Sequence, residues 1–205
     1  MTQAPVATVD DAVELVSPPW PEIKLARVER AAAGLLEALD VDLDNAEMRE
    51  TPRRVAAMYQ ELLTPEPFTA TTFDNDAGYD ELVVASDVRF TSLCAHHLLP
   101  FTGVAHLGYL PGERIVGLSK LARLVQFYAR RPQVQERLTK EVADWLQDNL
   151  APRGVGVVIE AEHQCMTIRG VAAAGSRTTT STMYGTLRDN SASRAEFLAL
   201  TRTRH

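Results

Sequence analysis

The side chains best suited to chemistry in this chain are its sulfurs and imidazoles, and they are few: two cysteines and five histidines in 205 residues. Cys94, His96 and His97 fall together in TSLCAHHLLP, and His163 and Cys165 fall together in EAEHQCMTIRGV. Only His106 and His205 lie outside these two stretches. Thiolate and imidazole are ligands that zinc favours. Two cysteines with one histidine would leave a fourth position for water, the pattern of a catalytic rather than a structural site. Water held there becomes a nucleophile near neutral pH, its pKa falling to about 7. The bland alternative is that both cysteines are small buried hydrophobes. Spacing alone also leaves open which histidine completes the set, because CxxH is a weak motif.

A second group of residues is basic. GLSKLAR places Ser119 at a predicted strand-to-helix junction, where it is a candidate cap, and sets Lys120 and Arg123 three apart on one face of the first turn. A helix N-terminus flanked by two cations suits an anion; taken alone, the same pattern also suits a solvated basic face. The phosphate loop GxxxxGK[ST] is absent from the sequence. RPQVQERL puts Glu136 in the first turn of its helix. There it either complements the helix dipole or accepts two N–H bonds from the edge of a guanine-like base. Arg54, judged by itself, is a surface ion-pair residue. If VGVVIEAEHQCMTIRGV is one long strand, alternation places His163, Cys165, Thr167 and Arg169 on one face.

These groups need elements to hold them. Residues 1–20 are expected to form a disordered tail, ended by SPPWP. Residues 21–78 are expected to be a helical segment. Leu25, Val28, Ala32, Leu35, Leu36 and Leu39 recur at helical spacing. A second helix starts at ETPRRVAAMYQELL, with Thr51 as N-cap, Pro52 as first helical residue, and Val55, Met58 and Leu62 as its buried face. TPEPFTATTFDNDAGYD is then a turn-rich connection. From residue 79 to 205 strands and helices mix: ELVVASDVRFTSL, GVAHLGYLP and RIVGL as strands, SKLARLVQFYARR and QVQERLTKEVADWLQDNL as helices, and a Thr-rich strand with a short helix at the end.

Composition narrows the class. Hydrophobic residues at 45% and charged residues at 23% suit a soluble globular chain that buries a core without disulfides. The net charge of −6 argues against a general nucleic-acid binder but leaves room for a small anion held by local Lys and Arg. No apolar run reaches the ~18–20 residues of a membrane span, and the N-terminus lacks the basic and apolar regions of a signal peptide. A cytoplasmic protein, where cysteines serve metals or catalysis more often than disulfides, is the expectation.

Taken together, SLCAHHLLPF, GLSKLARLV, RPQVQERLT and EAEHQCMTIRGV, with ETPRRVAAMY before them and TTTSTMYGTLRDNSASRAEFL after, resemble the GTP cyclohydrolase I family from about residue 23 onward. The resemblance implies an α+β T-fold: an antiparallel sheet with helices packed on one face, preceded by an N-terminal helical segment and assembled into a ring. It implies a homodecamer of two pentamers with sites at subunit boundaries, and no nucleic acid or membrane as partner. It implies Zn2+ on Cys94, His97 and Cys165, and proton transfer by His96 and His163. Ser119 matches a residue that assists the sugar rearrangement. Glu136, with Gln135 beside it, matches the guanine anchor. Lys120, Arg123 and Arg169 match triphosphate ligands, and Arg54 matches a further one from a neighbouring subunit. The implied reaction takes GTP and water to formate and 7,8-dihydroneopterin triphosphate, the first step of tetrahydrofolate and pterin biosynthesis. One position departs from the pattern: the family usually has Cys-Glu-His-His, and this chain has Cys94, Ala95, His96 and His97. The alternatives are a divergent copy feeding a deazapurine or other specialised pathway, and a structural-zinc module in which His96 or His163 closes the metal shell. A nucleobase deaminase is disfavoured by the missing HxE and PCxxC signatures.

Overall fold

The computed structural model of the chain describes residues 12–14, 23–67 and 69–202. It forms two compact units, one of residues 17–65 and one of residues 1–16 with 66–205. Of the expected tail, residues 12–14 form a short strand and the rest lie outside the described residues.

In the smaller unit, α1 (Leu25–Ala38) packs against α2 (Thr51–Leu63). The contact is made by small residues: Ala32, Pro52 and Ala56 are the buried ones. The expected apolar faces are only partly used. Leu35, Leu39 and Met58 are 61%, 64% and 44% exposed, because two helices alone cannot cover both stripes. Thr51 is the first helical residue rather than the cap. Glu50 takes the N-cap position, and its carboxylate accepts from Arg53 Nε at 2.8 Å instead of from the backbone.

The larger unit holds two sheets. The smaller sheet runs β1 (Ala12–Glu14), β2 (Thr69–Asp74), β5 (Arg114–Val116), all antiparallel. The segment expected to be a turn-rich connection thus contains β2; TATTFD alternates weakly, yet its inward Ala70 and Thr72 are buried. The main sheet runs β6 (Pro132–Gln133), β3 (Val83–Cys94), β4 (Pro100–Leu110), β7 (Gly154–His163), β8 (Thr178–Gly185). Its four long strands are antiparallel, and two-residue β6 joins the edge in parallel.

Alternation along the strands sorts the two faces. Phe101, Ala105, Leu107 and Tyr109 of β4 and Val155, Val157, Ile159 and Ala161 of β7 point into the main core. There they meet α3 (Leu118–Ala129) and α4 (Gln135–Leu150), through Leu121, Leu124 and Val125 of the first and Leu138, Val142 and Leu146 of the second. The opposite face is covered at one end by α7 (Ser191–Leu200), which follows the short α6 (Thr186–Asp189). Phe197 of α7 lies over Gly108 and Gly156, which are paired across β4 and β7; a Cβ on either would stand 2.7 Å from its ring. Asn190 caps α7 by accepting from the Ala192 and Ser193 amides at 2.9 and 3.0 Å.

β3 contains one irregularity. Its register on β4 shifts between Ala85 and Val88, and Asp87 there has φ +56°. His106 of β4, 2% exposed, accepts the Asp87 amide at Nδ1 from 3.2 Å and so closes the bulge with a side chain.

Candidate functional site

The site lies at one end of the main sheet. Cys94 is the last residue of β3 and β4 starts at Pro100, so the turn between them carries His96 and His97. The turn is tight: the Leu98 and His97 amides donate to Cys94 O at 2.8 and 3.3 Å, and the Cys94 amide donates to Leu99 O at 2.8 Å. Leu98 takes a left-handed φ of +53° to make this closure, a conformation that costs a non-glycine residue about 1 kcal/mol. The neighbouring edge steadies it too, since the Ala95 amide donates to Gln133 O at 2.8 Å.

The third ligand candidate arrives differently from the sequence expectation. β7 ends at His163, and Gln164–Thr167 forms a helical turn, α5, instead of continuing the strand. Phe101 pairs with His163 in the register, so the next rung would fall on Pro100, which has no N–H to give. Cys165 therefore sits in a turn, and strand alternation is not what groups it with His163 and Arg169. The turn nevertheless brings Cys165 Sγ to 3.8 Å from Cys94 Sγ, and Cys94 Sγ lies 3.7 Å from His97 Nδ1. One ligand atom from each of Cys94, His97 and Cys165 lies within 4.8 Å of the others.

These separations fit a metal. Two sulfurs each ~2.3 Å from a tetrahedral centre stand about 3.8 Å apart, and a sulfur and an imidazole nitrogen slightly less. They do not fit a disulfide, whose sulfurs are about 2.05 Å apart. Burial first, and then the adjoining Cys94, push the Cys165 thiol above its ordinary pKa, while Arg169 draws it down. Two neighbouring thiols ionise together only against a cation, which is what a metal ion supplies. His96 also approaches, with Nδ1 3.8 Å from Cys94 Sγ, but it is not part of the mutual cluster. Both histidines of the turn are exposed, whereas Cys94 is buried. Arg169 reaches the rim of the cluster, its Nη1 lying 3.2 Å from His97 Nε2.

His163 is held by two contacts. Its ring stacks on Phe101, with centroids 4.6 Å apart and planes 2° from parallel. Its Nε2 lies 2.7 Å from Gln135 Oε1. Burial lowers its pKa, and the carboxylate of Glu136 works in the opposite direction. Glu136 is thus within electrostatic reach of His163, at the start of α4 as expected, and is itself exposed. Gln135, its neighbour, is 2% exposed.

The remaining candidates lie on helices α2 and α3. α3 begins at Leu118 with Gly117 as N-cap and no side-chain capping bond, so Ser119 is an exposed first-turn residue rather than the cap. The start is fixed by backbone: the Gly117 amide donates to Thr71 O at 3.0 Å and the Lys120 amide to Gly117 O at 2.8 Å. Arg123 lines a depression of about 170 Å³ with Gln126, Phe127 and Arg130. Among the described residues, Ser119, Lys120 and Arg123 make no hydrogen bond or ion pair to the Cys–His cluster. Arg54 is an exposed residue of α2 in the smaller unit. No helix among the described residues is long and apolar enough to cross a membrane.

Sequence reasoning missed the buried His106 and the support under the turn. Gln133 is fully buried, donates to Tyr128 O at 2.9 Å and to Glu141 Oε2 at 2.8 Å, and accepts from Arg137 Nε at 2.7 Å. Its only sequence signal was a second glutamine in RPQVQERL.

A family model described as GTP cyclohydrolase I matches residues 28–202. Curated relatives carry the name GTP cyclohydrolase 1. The one from Rhodopirellula baltica is 50% identical over 187 residues, covering 89% of this chain and 81% of the relative. The one from Aquifex aeolicus is 48% identical over 174 residues, covering 85% and 95%. The one from Streptomyces avermitilis is 52% identical over 181 residues, covering 85% and 89%. Among solved structures, the archaeosine synthase QueF-Like in the apo form aligns with a TM-score of 0.43 at 16% identity over 51% of this chain and 93% of that one, a likeness too distant to inform the chemistry.

Proposed function

The chain belongs to the GTP cyclohydrolase I family, and from that membership and the Cys94–His97–Cys165 cluster beside His163 we propose how its residues carry out the family's reaction. It is a hydrolase acting on GTP: the imidazole ring of the purine opens, formate leaves, the ribose rearranges, and a pterin ring closes to 7,8-dihydroneopterin triphosphate. Cys94, His97 and Cys165 would hold Zn2+, a choice made from the softness of two thiolates and an imidazole. When bound, the ion supplies a water of pKa about 7 as nucleophile.

The chain's own groups do the rest. His163, steadied by Phe101 and Gln135, transfers a proton to the opening ring, and His96, exposed in the turn after β3, serves the later transfers. Glu136, exposed and at the start of α4, accepts from the amino and ring N–H groups of the guanine. Arg169, at the cluster's rim, together with Lys120 and Arg123 of α3, binds the triphosphate, and Ser119 assists the sugar rearrangement. Arg54 adds a further cation from a neighbouring subunit. The assembly that the family resemblance implies, a homodecamer of two pentameric rings with sites at subunit boundaries, is the one in which these groups meet. The setting is cytoplasmic, where GTP is available, and no nucleic acid or membrane takes part. Ala95 leaves the turn intact, because its position is fixed by its backbone N–H donating to Gln133 O at 2.8 Å and not by a side chain.

The observation that carries the reading is the three-ligand cluster with a half-buried, oriented histidine two residues along the chain from Cys165. The test is to incubate purified, zinc-quantified protein with GTP and to follow formate and the fluorescence of the oxidised pterin. Stoichiometric zinc with no formate sinks the reading. That result would favour a closed shell with His96 as fourth ligand, a structure suggested by its 3.8 Å approach to Cys94 Sγ.

A further inference from the structure

The carboxamide of Gln135 is fully engaged by the protein. Its Nε2 donates to Ile159 O at 3.0 Å and to Thr178 O at 2.9 Å, with Thr180 Oγ1 at 3.2 Å. Two of these partners are carbonyl oxygens, which only accept, so the amino group must face them. That choice turns Oε1 toward His163, 2.7 Å from Nε2. A carbonyl oxygen accepts and never donates, so His163 must carry its proton on Nε2. In the neutral ring this leaves the lone pair on Nδ1; in the charged ring both nitrogens carry protons and the Nε2 bond is unchanged. Nδ1 makes no hydrogen bond among the described residues.

Stacking fixes the plane of the same ring, since Phe101 lies parallel to it at 4.6 Å and is itself fully buried. The carbonyls that fix Gln135 belong to strands β7 and β8, and its own carbonyl accepts from Thr139 Oγ1 at 2.7 Å. Thr139 Oγ1 in turn lies 2.6 Å from Thr180 Oγ1. Gln135 is thus a strut between α4 and the sheet that ends on His163.

We propose that Gln135 is the positioning residue of His163: it sets the Nε2–H tautomer and makes Nδ1 the atom through which His163 exchanges a proton with substrate. This assignment rests on the reading of the protein as a GTP cyclohydrolase. It differs from the guanine contact that the family resemblance implies, because a 2% exposed carboxamide with every polar atom engaged has none to offer a base.

The test compares zinc-loaded wild type with Gln135→Leu, using formate release at varied GTP. A positioning residue predicts that the variant keeps its zinc and its wild-type KM while kcat falls roughly 10- to 100-fold, the cost of a misplaced catalytic group. A raised KM with kcat unchanged would make Gln135 a guanine contact and overturn the proposal. Should the variant fail to fold, 15N spectra of histidine-labelled, zinc-loaded wild type at alkaline pH decide instead, with the His163 signals assigned by their loss in His163→Ala. Protonated Nε2 with bare Nδ1 supports the proposal, and the reverse tautomer overturns it. A wild type that binds zinc but releases no formate refutes the activity, and the same spectrum still decides the tautomer.

Discussion

Cys165 and His163 stand two residues apart, yet one completes the Cys–His–Cys cluster and the other is held by a glutamine and a phenylalanine. Substituting each separates the two roles. Cys165→Ser should lose zinc by metal analysis and, with it, formate release. His163→Ala should keep stoichiometric zinc and lose turnover by about 10²- to 10⁴-fold, the usual contribution of general acid–base catalysis. Equal metal loss in both variants would mean that ligand and acid have been mis-sorted. At this scale residue types were legible in the sequence. Two cysteines and three of five histidines in two short stretches already suggested the donor set. What could not be read was the path of the backbone. Alternation along an assumed strand grouped His163, Cys165 and Arg169, whereas a proline on the neighbouring strand ends β7 and a turn does the grouping. The Gln135–His163 bond spans 28 residues and leaves no local pattern at all.

The elements that position these residues can be tested without touching them. The bulge at Asp87 depends on His106 accepting an amide proton, which only a neutral ring with a bare Nδ1 can do. Burial lowers the His106 pKa below the ordinary 6.5, against the opposing pull of Asp87 and Glu160. The folded state therefore binds that proton less readily than the unfolded chain does. Its contribution to stability is complete above pH 6.5 and is lost as the pH falls from there through the lowered value. His106→Gln keeps an acceptor without the titration, so its urea midpoint should fall less steeply than that of wild type between neutral pH and about pH 5. Parallel slopes would show that His106 does not contribute to the acid limb. On the same face of the sheet, Gly156→Ala should cost about 1–3 kcal/mol in urea unfolding, because Phe197 is fully buried and its ring has no room to yield. The helices and long strands were legible from their periods; β2 was not, since TATTFD, with three Thr, one Ala, one Phe and one Asp, carries too little alternation.

Over the whole molecule, apolar surface is left where a single chain cannot cover it. Ile168 and Val171, just beyond the metal turn, are 67% and 72% exposed. The proposed ring assembly, with sites at subunit boundaries, predicts a sedimenting species many times the 22.6 kDa of one chain. It also predicts that Val171→Glu lowers both the sedimenting mass and the rate of formate release. A fully active monomer would refute the assembly. Fold class and family were legible from the order of several motifs along the chain. The division of the molecule between residues 65 and 66 falls in TPEP, at the start of the segment read as a turn-rich connection and ahead of the boundary expected at residue 78.

The tight turn from Cys94 to Leu99 has a consequence for local opening. Its amides at Cys94, Ala95 and Leu98 bond to Leu99 O, Gln133 O and Cys94 O at the last rungs of β3 and β4, where a sheet frays most readily. The most strained backbone of the turn, at Leu98, lies in the same few residues. Ladder bonds in the centre of the sheet should exchange deuterium only by global unfolding, whereas these three amides should exchange through a small local opening. A metal ion shared by Cys94, His97 and Cys165 would tie that frayed end to the far side of β4. Zinc loading should therefore slow exchange at this turn selectively, making it a local reporter of metal occupancy that requires no substrate.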